Sequence, residues 1–199
     1  MEYSLLQLDV IKELANIGGG NAASSISKLI DKPVDMYVPT VEIFTYEKVY
    51  DKIMSEDSMI NAVLIRMSGV KEGVFLFIIK DDIAKDIVKM MVPDGVEITE
   101  EISISAIKEL VNIVVTSYLN AIGSMIDVRL MSSVPLLARD MFGAILSSVY
   151  IEEGQYDDNI MIIKNEFIYE GDKLESSLYF VPRPGVLESL FKILEVGEE

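Results

Sequence analysis

Apolar residues recur at helical spacing from Ser4 to about Ile30, at Leu5, Leu8, Ile11 and Leu14 and again at Ala22, Ile26 and Leu29-Ile30. Gly18-Gly19-Gly20 interrupts this run, and three glycines at roughly 1 kcal/mol each argue for a stop. The pattern nevertheless resumes beyond them, so it predicts one long helix in which the glycines admit another backbone closely. Asp31-Lys32-Pro33 ends that helix, and Val34 to Val38 starts a strand leading into Pro39. Strands follow at Ile60 to Arg66 and Gly73 to Ile79, joined by the turn Ser68 to Gly73. Asp81-Asp82 opens a short helix through Met91, with acidic residues where the helix dipole favours them. After Pro93-Asp94-Gly95 and an acidic linker, Glu97 to Glu101, a second long helix runs from about Ser103 to Ile126. The segment Asp140 to Val149 is apolar, helical or strand-like, and is read as peculiar to this part of the chain. Past an acidic loop, Glu152 to Asp158, strands are expected at Asn159 to Lys164 and Ser176 to Val181. Pro182-Arg183-Pro184-Gly185 leads to a last helix, Val186 to Leu194, the counterpart of Ile83 to Met91.

The two long helices repeat each other. Asp9-Val10-Ile11-Lys12-Glu13-Leu14-Ala15-Asn16-Ile17 returns 96 residues later as Ser105-Ala106-Ile107-Lys108-Glu109-Leu110-Val111-Asn112-Ile113, and Val38-Pro39 returns as Val134-Pro135. The glycine triplet aligns with Val114-Val115-Thr116, none of which stops a helix. It also follows helical residues rather than linking a strand to a helix N-terminus, which speaks against a phosphate cradle. Each half reads as helix, three strands, helix: residues 1–96 and 97–199, two repeats sharing one domain. The fold class expected is α/β, or more closely α+β: a two-layer sandwich with an internal pseudo-two-fold, two long helices on a largely antiparallel sheet.

At about 100° per residue, Asp9, Glu13 and Asn16 fall within one narrow polar stripe, as do Ser105, Glu109 and Asn112. Val10, Leu14 and Ile17 lie on a different face that can be buried. Each helix thus presents a carboxylate beside a carboxamide. A solvated helix face is the plain alternative, but asparagine is a poor helix former, and a face without a task favours Ala, Lys or Gln.

Composition narrows the chemistry. With 33 Asp and Glu against 17 Lys and Arg, the net charge of −16 argues against a nucleic-acid partner and for partners with a basic patch. No Cys and no His are present, which removes thiol nucleophiles, Ser-His triads, disulfides and His-ligated metals, and fits a reducing compartment. The acidic pairs Asp81-Asp82, Glu100-Glu101, Glu152-Glu153 and Asp157-Asp158 are adjacent residues that do not converge, so no metal site is expected. The acidic start, Met1-Glu2-Tyr3-Ser4, predicts no signal peptide, and the longest apolar run, Val74 to Ile79, is too short for a membrane span. A soluble cytoplasmic protein without membrane insertion is expected.

The twice-occurring pattern of Asp or Ser, three residues, Glu, two residues, Asn, then twenty-two residues and Pro resembles the CheC family of chemotaxis phosphatases. Asn16-Ile17-Gly18-Gly19-Gly20-Asn21-Ala22-Ala23 and Asp140-Met141-Phe142-Gly143-Ala144-Ile145 resemble segments of the same family, and the likeness covers nearly the whole chain. The resemblance implies hydrolysis of the phosphoaspartate of the response regulator CheY. Asn16 and Asn112 would orient the attacking water, and Glu13 and Glu109 would dock on the receiver's lysine. Asp9 and Ser105 would assist docking, their difference suggesting unequal sites. Pro39 and Pro135 read physically as strand or loop punctuation and are carried with them as substrate-side positions. Mg²⁺ would arrive with the phosphorylated receiver, this chain holding no cofactor of its own.

Two further readings compete. In one the protein is an adaptor for the receptor deamidase CheD, bound through Asp140, Met141, Gly143 and Ile145. In the other it is a flagellar-switch component, weakened because relatives of that kind carry an additional domain for which this chain's length leaves no room. An internal two-fold makes a monomer sufficient.

Overall fold

Both long helices form where their termini are capped and their apolar faces covered. The computed structural model describes residues 4–69, 72–152, 159–182 and 186–193. Helix α1, Leu5–Ile30, starts at Ser4, whose Oγ accepts from Gln7 N at 3.2 Å while Gln7 Oε1 accepts from Ser4 N at 2.9 Å. It passes unbroken through the glycine triplet and ends at Asp31, a left-handed residue with φ 53°. Helix α4, Glu100–Met125, is capped by Thr99, whose Oγ1 accepts from Ile102 N. It begins earlier than Ser103 because Glu100 and Glu101 serve its positive N-terminal end rather than a linker. Just beyond its end Asp127 is also left-handed, with φ 52°.

In order, the other elements are β1 (Val34–Thr45), α2 (Tyr46–Lys52), β2 (Met59–Gly69), β3 (Gly73–Ile79), α3 (Asp81–Met91), β4 (Leu130–Ser132), β5 (Leu136–Met141), α5 (Phe142–Glu152), β6 (Asn159–Tyr169), β7 (Asp172–Pro182) and α6 (Val186–Ile193). Strand β1 extends past the expected Val38. Its ladder with β6 shifts register between Tyr37 and Thr40, a bulge that accommodates Pro39, which has no N–H to give. Strands β6 and β7 are likewise longer than expected, closing as a hairpin on Glu170 and Gly171, both at positive φ. The segment Asp140 to Val149 is not peculiar to the second half: it ends β5 and forms most of α5, and α2 stands 96 residues before α5 as its counterpart. Helix α2 escapes the sequence pattern because only Val49 is buried among Glu47, Lys48, Asp51 and Lys52.

The sheet order is β1-β6-β7-β3-β2-β4, with β5 also on β2, and every pairing is antiparallel. The leading strands of each half therefore lie on the hairpin of the other half, and β3 meets β7 at the centre. One core lies between the sheet and the long helices, including Val63, Ile65, Phe75, Phe77, Val114, Tyr118 and Phe180. A second core lies on the far face, where α2 and α5 cover Ile60, Ala62, Leu76, Ile78, Ile162 and Tyr179 as a partial third layer. All of β3 is buried, which explains its continuous apolar run. By length and composition α4 could cross a membrane, but Leu110, Val111, Val114, Val115 and Tyr118 place it in the first core.

The edge strand β5 is tied to α3 by Asp81, which accepts from Asn61 Nδ2 at 2.6 Å and from Arg139 Nη2 at 2.7 Å. The Asn61 bond above all, helped by the Arg139 bond and charge, holds the Asp81 carboxyl below its ordinary value, against an opposing effect of burial second only to the Asn61 bond. A depressed carboxylate stabilises the fold above its unfolded value, and that contribution fades as pH falls through the folded one. Arg139→Ala is expected to raise the Asp81 titration midpoint measured by NMR; an unmoved midpoint would show that the guanidinium plays no part.

Candidate functional site

Each polar stripe lies at the outer edge of a long helix, with its asparagine innermost. Ile11, Ala15, Gly18 and Gly19 of α1 and Ile107, Val111, Val114 and Val115 of α4 face the core. Glu13 and Gly19, three residues to either side of Asn16, flank it around the helix by about 60° in opposite directions, so the amide sits where polar face meets core. Accordingly Asp9, Glu13, Ser105 and Glu109 are exposed, while Asn16 and Asn112 are half-buried. The buried row of α1 is not Val10, Leu14 and Ile17. Val10 and Leu14 are half-buried and Ile17 is 39% exposed, because the contact with α4 and the sheet runs along the Ile11-Ala15-Gly18 row instead.

Among the described residues Glu13 and Glu109 make no hydrogen bond or ion pair, whereas Asp9 Oδ1 is 3.4 Å from Lys12 Nζ. Asn16 Oδ1 is buried without a hydrogen-bond partner. An unpaired buried acceptor costs about 1–3 kcal/mol, so rotation of this carboxamide toward an incoming water relieves strain rather than creating it. No such atom occurs at Asn112 among the described residues, and the two sites differ in this respect.

The two stripes do not converge. A Cβ at Gly18 would stand 2.6 Å from the Tyr118 ring, and a cavity of 30 Å³ lies among Val10, Ile11, Leu14, Ala15, Tyr118 and Ile122. The N-terminal half of α1 thus lies beside the C-terminal half of α4. Asn16 sits across from the neighbourhood of Asn120, about 12 Å along the axis from Asn112 at the helical rise. The arrangement is two sites, one per helix. The glycines admit side chains, not a backbone: Gly18 faces the Tyr118 ring, and Gly19 faces Met36 and the Tyr118 hydroxyl.

Pro39 belongs to the β1 bulge, and its side chain lies outside the described residues; Pro135 is half-buried between β4 and β5. Asp140 and Met141 are exposed, Asp140 Oδ1 accepting from Met141 N at 2.8 Å. Gly143 is held against Glu56, its N–H donating to the Glu56 carbonyl at 2.8 Å. Ile145 turns inward and lines, with Asp140, an apolar groove of 310 Å³ between α5 and strands β2 and β5. No group of three or more acidic side chains converges among the described residues.

Stripe spacing alone leaves out an open polar groove of 740 Å³, walled by Thr116, Asn120 and Ser124 of α4 and by Arg129 to Ser132 around β4. Its signal was present in the chain, since Thr116 and Asn120 continue from Asn112 in steps of four.

Residues 6–43 match the CheC-like family, and residues 61–148 match the chemotaxis phosphatase CheX. The CheY-P phosphatase CheC of Bacillus subtilis (strain 168) is 29% identical over 195 residues, covering 94% of this chain and 93% of that protein. The crystal structure of Thermotoga maritima FliY superposes with a TM-score of 0.77 at 19% identity, covering 100% of both chains. FliM from its complex with SpeE in H. pylori does so with 0.69 at 15% identity over 98% of this chain and 97% of the other, and CheX from Desulfovibrio desulfuricans with 0.56 at 12% over 86% and 99%. The structural likenesses establish the fold, and the sequence matches along it make the chain similar to the CheC-like family and to the chemotaxis phosphatase CheX.

Proposed function

We propose that this chain hydrolyses the phosphoaspartate of phosphorylated CheY, one site on α1 and one on α4. The observation that carries the reading is a half-buried carboxamide at the core edge of each stripe, with an unpaired carboxylate one turn earlier. In the reaction a water oxygen bonds to phosphorus as the bond from phosphorus to the aspartyl oxygen breaks, giving inorganic phosphate and a free carboxylate. The receiver brings the acyl phosphate, Mg²⁺ and a lysine, so this chain need supply only position. A carboxamide donates to and accepts from the same water, so Asn16 or Asn112 orients it in line without taking its proton. Glu13 or Glu109 is free to pair with the receiver's lysine and fix the helix above the site. A misplacement of about 1 Å costs on the order of 100-fold, which makes docking as consequential as the amide.

The direct test is phosphate loss from phosphorylated CheY with and without this protein. Acceleration is expected; none at any protein concentration would remove the enzymatic reading. The adaptor reading has its own support, since Asp140 and Met141 stand exposed beside the apolar α5 groove. Capture of purified CheD by the wild type but not by Asp140→Lys is its corresponding result.

A further inference from the structure

The polar stripe of α4 does not stop at Asn112. At the ideal helical turn Ser105, Glu109, Asn112, Thr116 and Asn120 fall within a sector of about 80°, so all share one helix face. Thr116, one turn past Asn112, is where the 740 Å³ groove begins, and the groove follows α4 for about 14 Å to its end and on to Asp127. Strand β4 forms the other wall, ending the sheet with β2 as its sole strand partner among the described residues. Arg129 stands exposed there and makes no ion pair among the described residues, in a chain of net charge −16.

The first half is built differently at the same place. Gly20 and Ser24 replace Thr116 and Asn120, and Pro33 replaces Arg129. The cation past the end of α1, Lys32, is engaged: its Nζ donates to the Tyr169 hydroxyl at 2.7 Å and to Glu170 Oε1 at 3.2 Å.

We infer that the groove running on from Asn112 is a receiver-recognition surface belonging to the α4 site alone, with Arg129 and Asn120 as positioning residues for the acidic loops around the phosphoaspartate. The inference rests on the phosphatase reading above. A guanidinium offers paired donors to a carboxylate, and a phosphorylated, metal-binding receiver site is rich in carboxylates. Asn120 can donate to and accept from loop backbone two turns beyond the reacting centre. The α4 site therefore holds its substrate by the Glu109-Asn112 stripe and the groove together, the α1 site by its stripe without such a groove arginine.

The test isolates one site at a time. In an Asn16→Ala background, where α4 works alone, Arg129→Ala and Asn120→Ala are expected to raise KM for phosphorylated CheY about tenfold each and leave kcat within about twofold, the signature of lost binding rather than lost chemistry. Arg129→Lys should recover part of the loss, keeping charge without the paired donors. The KM rise should exceed the rise in an Asn112→Ala background. An unchanged KM, an equal rise in both backgrounds, or unchanged KM with altered self-association in sedimentation would overturn the inference, the last assigning the groove to a second copy. Full acceleration by the folded Asn16→Ala, Asn112→Ala protein would overturn the phosphatase mechanism beneath it. Melting curves of each variant exclude misfolding as the cause, and both residues are exposed.

Discussion

The protein carrying both Asn16→Ala and Asn112→Ala is expected to lose at least about 100-fold of its acceleration of phosphate release while becoming more stable. The kinetic loss follows because alanine can neither donate to nor accept from the attacking water. Each single variant should keep the share of the intact site, so the pair of singles ranks α1 against α4. The stability gain has two parts. Alanine exceeds asparagine in helix propensity by up to about 0.7 kcal/mol at either position. At Asn16 the substitution also removes a buried carbonyl oxygen with no partner, which costs about 1–3 kcal/mol in the wild type. Asn16→Ala should therefore melt at a higher temperature than Asn112→Ala. Residues kept against stability are the mark of a site with a task. Equal melting temperatures would mean that Asn16 Oδ1 finds a water partner.

Tyr118→Ala is expected to destabilise the fold by about 3–5 kcal/mol, the range for truncating a large aromatic in a core. For a chain of this size that lowers Tm by on the order of 10 °C. Tyr118 is 2% exposed, and its ring fills the space left by Gly18 and Gly19 where α1 and α4 meet. The glycines supply the converse. Gly18→Ala gains about 1 kcal/mol of helix propensity but drives a Cβ to 2.6 Å from the rigid base of the ring, and overpacking of about 1–3 kcal/mol wins. Gly19→Ala meets the thioether end of Met36, which can move aside, so its cost is smaller. Gly20→Ala has nothing within 4 Å of the new Cβ and should stabilise by about 1 kcal/mol. Thermal unfolding should rank them Gly20→Ala above wild type, then Gly19→Ala, then Gly18→Ala. A Gly18→Ala protein as stable as Gly20→Ala would show that the helix contact is loose.

Much of this architecture was legible in the chain because its signals are local. The two long helices, β2, β3 and α3 announce themselves by periodicity and caps, and the 96-residue spacing makes the uncertain stretch at Gly18 readable through Val114. What the pattern missed depends on distant partners. Nothing near Pro39 says that β1 continues, since the bulge exists only against β6 of the other half. Helix α2 hides among its charges until α5 and the sheet bury Val49. Comparison of the copies also misleads at the glycines. Small Gly18, Gly19 and Ala22 align with large Val114, Val115 and Tyr118, and the two sets fill one space between them, so the repeat is complementary where it is not identical. Within the stripes, Asp9, Glu13, Asn16 and their counterparts fall where helical angles put them. The groove past Asn112 required β4 as its second wall, and β4 is three residues long.

Acting on water, rather than on docking, is what sets the two carboxamides apart from the rest of each stripe. The decisive measurement is a titration of the Asn16→Ala, Asn112→Ala protein with CheY carrying beryllofluoride in place of the phosphoryl group. An affinity within about threefold of wild type is expected alongside the lost turnover, since Glu13, Glu109 and the groove remain. Binding lost in proportion to activity would overturn the water-orienting role and make the asparagines part of the docking surface.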